Sequence, residues 1–303
     1  MNVADTLRKI KALGFTQQEL ANRLGVSFPT LNSWILAKSQ PRKSHLLAIE
    51  SLYIELFGSD KLNYAEFNIK KEFIYELRNK NLVKNILKNQ DILDNLTLKM
   101  TYNTNSLEGN TLTEQDTAEI IFKKRVLANH SLMEQLEATN HRYAFIYALK
   151  LVDDGAMNVD KILELHRILM AGILDNAGLL RYHSVRILGS GVATANYLKL
   201  PELLEEFCNY FNSEAQDSIQ LIASSHAQFE QIHPFSDGNG RVGRLLMTIM
   251  ALQHGLAPIL VLQKRKQAYY KYLRKAQLEN DSSFLEYFVT EMSIEAAKII
   301  KLI

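Results

Sequence analysis

Apolar residues recur at intervals of three and four along most of the chain, the spacing that lines one face of an α-helix. The pattern is clear in "VADTLRKIKALG", "ILDNLTLKM", "DKILELHRILMAGIL" and "SIQLIASSHAQFEQI", and again in "RVGRLLMTIMALQHG". It predicts an all-α protein. Residues 1–58 are expected to form a small helix-turn-helix module. There "TQQELANRLG" opens with Thr16 and Glu19 at capping-box spacing and closes at Gly25, and "SFPTLNSWILAK" starts a second helix with Ser27 as its cap and Pro29 in its first turn. Residues 59–303 are expected to form one helical bundle. Its interruption is "VRILGSGVATANYLKL" from 185 to 200, where β-branched and small residues flank Gly189 and Gly191, which predicts a short β-hairpin flap.

Composition narrows the class. With 303 residues, 47% of them apolar, the chain can fill one large core and one small one. The apolar run from Leu245 is broken at Gln253 and His254, too early to span a bilayer, and "MNVADTLRKIKALG" lacks the pattern of an export signal. No membrane partner and a cytoplasmic location are therefore expected. The single cysteine, Cys208, excludes an internal disulfide and a thiolate metal cluster, and is expected to serve packing. A net charge of +2 makes no case for nucleic acid over the whole chain, but residues 1–58 hold seven Lys/Arg against four Asp/Glu. That local surplus suits phosphate contact.

One stretch, "HPFSDGNGR" at 233–241, crowds chemistry into a single turn of chain between two helical patterns. A glycine-rich loop that opens a helix presents backbone N–H groups to an anion, and Gly238 and Gly240 leave them uncovered. Arg241 and Arg244 add guanidinium forks for phosphate oxygens, Asp237 offers a carboxylate to Mg²⁺, and His233 can take a proton from a hydroxyl. Residues 238–243, "GNGRVG", also match a dinucleotide-binding fingerprint, but no strand precedes them. A metal site of His226, Glu230 and His233 is conceivable from spacing, although H-E-x-x-H is absent.

The complete string resembles the signature of the Fic family, H-P-F-x-[D/E]-G-N-G-R-x-x-R, with every fixed position met by His233, Pro234, Phe235, Asp237, Gly238, Asn239, Gly240, Arg241 and Arg244. The likeness extends over roughly residues 100–280, through "NTLTEQDTAEII", "LEATNH" and "YYKYLRKA". The resemblance implies a Fic-type helical bundle that transfers AMP from ATP to a Ser, Thr or Tyr hydroxyl of a target protein, and to itself. It implies that His233 is the base and that Asp237 binds Mg²⁺. Asn239 and the loop amides would hold the α-phosphate, with Phe235, Gly238 and Gly240 in the nucleotide site, while Arg241 and Arg244 face the β- and γ-phosphates. Retention of both glycines sets the loop apart from the family's phosphorylating branch. Tyr269 and Tyr270 are candidates to wall the adenine pocket. Val185, Ile187, Gly189 and Asn196 of the flap, 185–197, would align the target segment, though "NYLKLPE" lacks the usual proline pair.

Upstream, "TNSLEG" resembles the family's inhibitory motif [S/T]-x-x-x-E-[G/N], in Thr104, Glu108 and Gly109, on a helix expected near 102–109. The resemblance implies that Glu108 pairs with Arg244 and displaces the γ-phosphate. The N-terminal module resembles phage-repressor helix-turn-helix domains in "FTQQELANRLGVS" and "LNSW", with Ile35 and Ala37 where Glu and Gly are usual. By that likeness Gln17, Lys38 and Arg42 would touch phosphates of duplex DNA, with Asn32 and Ser33 nearer base edges. The leading expectation is an autoinhibited adenylyltransferase. The alternative is a nucleotide-sensing, DNA-binding regulator without transfer activity; a homo-oligomer is left open.

Overall fold

The computed structural model describes residues 2–187 and 191–303, so Gly189 lies outside the described residues. The chain forms two compact units: residues up to Lys61 with Lys264–Lys271, and Leu62–Gln263 with Tyr272–Ile303.

The first unit contains α1 (Val3–Lys11), α2 (Gln17–Arg23), α3 (Phe28–Ile35) and α4 (Lys43–Phe57). The expected capping box is formed: Thr16 Oγ1 accepts from Glu19 N at 3.2 Å, and Glu19 Oε2 accepts from Thr16 N at 2.8 Å. Ser27 caps α3 with Pro29 in its first turn. Such caps are each worth about 1 kcal/mol. Leu7, Ile10, Leu20, Leu31, Trp34, Ile49 and Leu56 point inward from all four helices to make one core. Helix α3 closes at Ala37, whose φ is +56°, with Ala37 N on Trp34 O at 3.1 Å and Lys38 N on Ser33 O at 2.8 Å. This is a Schellman closure with alanine where glycine is at ease.

The second unit contains α5 (Tyr64–Glu76), α6 (Leu82–Lys88), α7 (Gln90–Glu108), α8 (Glu114–Lys123), α9 (Leu132–Leu151), α10 (Val159–Met170), α11 (Leu200–Phe211), α12 (Ser218–Ile232) and α13 (Asn239–Gln253). It also holds α15 (Ser283–Ile299), while α14 (Lys266–Glu279) supplies residues to both units. Helix α13 is buried on nearly every side, by α12, α9, α10 and α7. Its run from Val242 to Leu252 is almost wholly apolar, with Arg244 and Thr248 the buried exceptions. Each fully buried Leu, Ile or Met contributes roughly 1.5–3 kcal/mol, so this helix is a rigid platform for the loop that precedes it. Cys208 of α11 is buried, and burial pushes its thiol up to about 12.

The helix expected near 102–109 is longer than that: α7 runs unbroken from Gln90, and Gly109 ends it with φ +101°. The flap is also different. No β-ladder is formed among the described residues of 185–197, and two of their carbonyls accept from side chains. Thr194 Oγ1 donates to Val185 O at 2.8 Å, and Arg181 takes Ala195 O at 2.6 Å.

Candidate active site

Helix α12 ends at His233, which adopts the left-handed conformation (φ 51°, ψ 61°) rarely taken by a residue with a Cβ. Its Nδ1 lies 3.2 Å from Glu230 O. A carbonyl can only accept, so Nδ1 carries the proton and Nε2 keeps its lone pair. Burial lowers the imidazole's pKa; the Glu230 carbonyl opposes that shift and the Arg181 charge adds to it. The ring is thus neutral and basic at Nε2 near neutral pH.

The loop then turns into α13 at Gly238, whose φ is +79° and whose missing Cβ would lie 2.8 Å from Met170 Sδ. Only glycine fits there on both counts. The amides of Asn239, Gly240 and Arg241 precede the first intrahelical bond, from Val242 N to Gly238 O at 3.0 Å. Asp237 is 63% exposed at its side chain; Oδ1 accepts from Gly238 N at 2.6 Å, and Oδ2 lies 3.5 Å from Arg241 Nη2.

Two residues expected at the nucleotide are turned toward the loop and its supporting helix. Asn239, expected on the α-phosphate, is buried and spends its amide on Phe235: Oδ1 accepts from Phe235 N at 2.8 Å, and Nδ2 donates to Phe235 O at 2.9 Å. Phe235 itself is fully buried, its ring stacked 3.7 Å from that of His166. Both residues fasten the loop from behind, because a buried amide must be satisfied and the nearest groups are the loop's own backbone.

The two arginines each meet an acid from another helix. Arg244 Nε donates to Thr104 Oγ1 at 2.6 Å, and Nη2 pairs with Glu108 Oε1. Thr104 and Glu108, one turn apart on α7, therefore grip one guanidinium together. A Cβ on Gly240 would sit 2.8 Å from that same Glu108 oxygen, so the carboxylate lies over the start of α13, where an anion is favoured. Arg241 Nη1 donates to Glu137 Oε1 of α9 at 2.9 Å. Glu230, buried beneath Arg244, is pushed up to about 7, chiefly by burial, with Arg244 opposing and Glu108 adding to the shift.

Residues 156–251 match the Fic/DOC family, and residues 6–53 match a helix-turn-helix. Residues 156–251 are a Fic/DOC domain. The chain is similar to the protein adenylyltransferase Fic of Nematostella vectensis, 30% identical over 209 residues that cover 64% of this chain and 47% of that one. It is also similar to the protein adenylyltransferase fic-1 of Caenorhabditis elegans, 29% identical over 204 residues, covering 64% of this chain and 40% of the relative. This chain thus spans less than half the length of these relatives. Among solved structures, C. elegans Fic-1 (residues 134–508) superposes with a TM-score of 0.67 at 22% identity, over 100% of this chain and 88% of that one. A Fic domain containing signaling protein from Bacteroides thetaiotaomicron gives 0.61 at 22% identity, over 80% and 95%. These likenesses show that the fold is that of Fic proteins.

Outside the loop the remaining expected residues are dispersed. Asn196 caps the turn at Tyr197–Lys199 through Leu198 N at 3.0 Å. Val185 and Ile187 lie half-buried on the flap. Tyr269 is buried and Tyr270 is 39% exposed, their rings 4.9 Å apart. In the helix-turn-helix, Gln17 begins α2, Asn32 and Ser33 lie on α3, and Lys38 and Arg42 are exposed between α3 and α4. Ser33 Oγ already donates to Thr30 O at 2.8 Å. Among the described residues no group of three or more His, Cys, Asp or Glu is placed to hold a metal ion, so His226, Glu230 and His233 do not form one.

Residue types and spacing missed three contributors. His166 Nε2 donates to Asp237 O at 3.0 Å while Nδ1 accepts from Gly178 N at 2.8 Å, which fixes a neutral ring whose pKa burial lowers to about 4. Glu137 and Arg181 are the others. Glu137 stands in "LEATNH", a stretch that resembles the family, but its partner lies 104 positions away.

Proposed function

We propose that this chain transfers AMP from ATP to a hydroxyl side chain of a protein target, and that Glu108 restrains it by holding Arg244. The observation that carries the reading is Glu108 itself: an anionic group from α7 rests over the N-terminus of α13 and on Arg244 Nη2, the place a terminal phosphate would need. The match to relatives named protein adenylyltransferase supports the reaction class.

In this reading the target hydroxyl loses its proton to His233 Nε2 as its oxygen attacks the α-phosphorus. A P–O bond forms to the target, the bond from the α-phosphorus to the bridging oxygen breaks, and pyrophosphate leaves with that electron pair. The amides at the start of α13 stabilise the charge gathering on the α-phosphate oxygens. Arg241 and Arg244 neutralise the departing phosphates once Glu137 and Glu108 yield them. Asp237 fits a Mg²⁺ site, since its carboxylate is exposed at the loop and Mg²⁺ needs only one or two carboxylates when phosphates complete its shell. When bound there, the ion would neutralise phosphate charge. The flap would seat the target segment by strand-like pairing.

The test uses the full chain, wild type and Glu108→Gly, with Mg²⁺ and ATP labelled at the α- or the γ-phosphate. Label from the α-position alone should become covalent on the protein or on lysate proteins, more so in the variant. Transfer of γ-label, or of none, would refute the reading. The helix-turn-helix at 6–53 favours a second reading, a nucleotide-binding regulator of DNA. It predicts ATP binding and salt-sensitive duplex binding without covalent label.

A further inference from the structure

Arg181 is 2% exposed, an unusual place for a guanidinium. Among the described residues it donates to backbone carbonyls alone. Nε reaches His233 O at 2.7 Å, Nη1 reaches His183 O at 2.7 Å, and Nη2 reaches Ala195 O at 2.6 Å and Ile232 O at 3.4 Å. Its own amide donates to Pro234 O at 3.0 Å, and Ala195 N donates to Gln231 O at 3.2 Å. The last carbonyls of a helix have no intrahelical donors and carry the negative end of its dipole. Arg181 and Ala195 together satisfy the carbonyls at the end of α12, Gln231, Ile232 and the capping His233, and that of Pro234 just beyond it.

These carbonyls come from two directions. Ile232 and His233 belong to the end of α12 that bears the proton acceptor, whereas His183 leads directly into the first arm of the flap and Ala195 lies on its second. A flat fork with five N–H groups can meet all of them at once; the single ammonium of a lysine cannot. His233 is moreover held at a positive φ, a conformation that a non-glycine residue keeps only where its surroundings enforce it.

We propose that Arg181 is a positioning residue, which locks His233 in its left-handed conformation and sets both arms of the flap in register with it, so that proton acceptor and target segment are aligned by one side chain. The inference rests on the AMP-transfer reading above, and deepens it by naming what couples the two halves of the site.

The experiment compares Arg181→Lys and Arg181→Ala with their parent, the full chain carrying Glu108→Gly. For Arg181→Lys, kcat for AMP incorporation should fall on the order of 10²-fold, while Mg²⁺·ATP affinity by calorimetry stays within about threefold, since misplacing a reacting group by ~1 Å costs that much in turnover. Ethylguanidinium added to Arg181→Ala should restore part of the rate. Independently of activity, the His233 imidazole resonances at fixed pH should shift in Arg181→Lys. Unchanged turnover in Arg181→Lys would overturn the proposal. So would equal loss of turnover and nucleotide affinity, or melting of both variants below the assay temperature, either of which confines Arg181 to holding the fold. If the parent itself incorporates no AMP, the transfer reading fails and the histidine resonances decide alone. A shift then supports Arg181 as the holder of His233, and unmoved resonances refute it.

Discussion

The loop from His233 to Gly238 joins two helix ends of opposite polarity, and the protein closes them by different means. The carbonyl end of α12 is sealed by Arg181 and the flap backbone, donors built into the fold behind the loop. The amide end of α13 is covered by a carboxylate, Glu108, which is one-third exposed and reaches in from α7. A cap made of the fold's own backbone and a buried side chain can be lost only by unfolding. A cap made by one partly exposed acid on a separate helix can be displaced by a better anion. In the AMP-transfer reading proposed above, the difference would separate what must stay rigid, the proton acceptor, from what must open, the phosphate cradle.

The hardest test of this contrast is His233→Ala in the Glu108→Gly background. It should lower AMP incorporation roughly 10²–10⁴-fold, the usual worth of a general base, while Mg²⁺·ATP binding persists. A variant with parental turnover would remove His233 from the chemistry. Next comes Glu108→Gly alone, expected to raise incorporation by about 5–150-fold, the range spanned by typical coupling energies. Its melting temperature should fall without nucleotide, because Arg244 loses a partner, and should recover with Mg²⁺·ATP. A variant no more active than wild type would make the two helix ends equivalent after all.

A smaller effect should appear in acid. His141 of α9 is buried against Thr101 Oγ1 at 3.0 Å, and its pKa is lowered to about 3 by burial, with Arg244 and Arg241 adding to the shift. Since that value lies below the ordinary one, the unfolded chain binds the extra proton between them, and the stability the neutral ring provides is lost as pH falls below about 6.5. His226, lowered to about 3 by burial, acts in the same sense. Glu230, raised to about 7, acts in the opposite one between about 4.5 and 7. In His141→Gln, stability from urea unfolding should decline less steeply below pH 6.5, by about 1.4 kcal/mol per pH unit for the proton removed. An unchanged slope would mean that the arginines do not face a neutral ring. The smallest effect concerns a third helix end. Ala37, like His233, is a non-glycine residue at positive φ closing a helix, but no side-chain chemistry is asked of it. Ala37→Gly should therefore stabilise the first unit by up to about 1 kcal/mol, read as a raised melting temperature. Destabilisation would show that its methyl group packs usefully.

The parts legible in the sequence were those whose physics is local. Thr16 with Glu19 and Ser27 with Pro29 declare helix starts within a turn of themselves, and the crowding of His233, Asp237, Gly238 and Arg241 declares a loop at a helix start. The Thr104–Glu108 spacing put both groups on one helix face, and both do meet Arg244. What stayed hidden depends on long-range partners. Arg181 reads as an ordinary surface charge until α12 ends beside it, and Glu137 and His166 reach the loop only through packing of α9 and α10 on α13. The Asn239 contacts with Phe235 were hidden for a related reason. An asparagine suits a phosphate by residue type, but the closeness of Phe235's backbone, set by the loop's turn, decides where the amide goes. The carbonyls of Val185 and Ala195 likewise went to side chains that periodicity cannot foresee.

The state of Cys208 makes this chain a ready background for chemical labelling. A thiol held near a pKa of about 12 within the core is thiolate in only ~10⁻⁵ of molecules at neutral pH, and the thiolate is the species that reacts with alkylating dyes. A cysteine introduced at Tyr182, which is 77% exposed beside Arg181, would outcompete it by orders of magnitude. A single fluorophore could then be set at the foot of the flap without also replacing Cys208, and its emission followed while nucleotide is added.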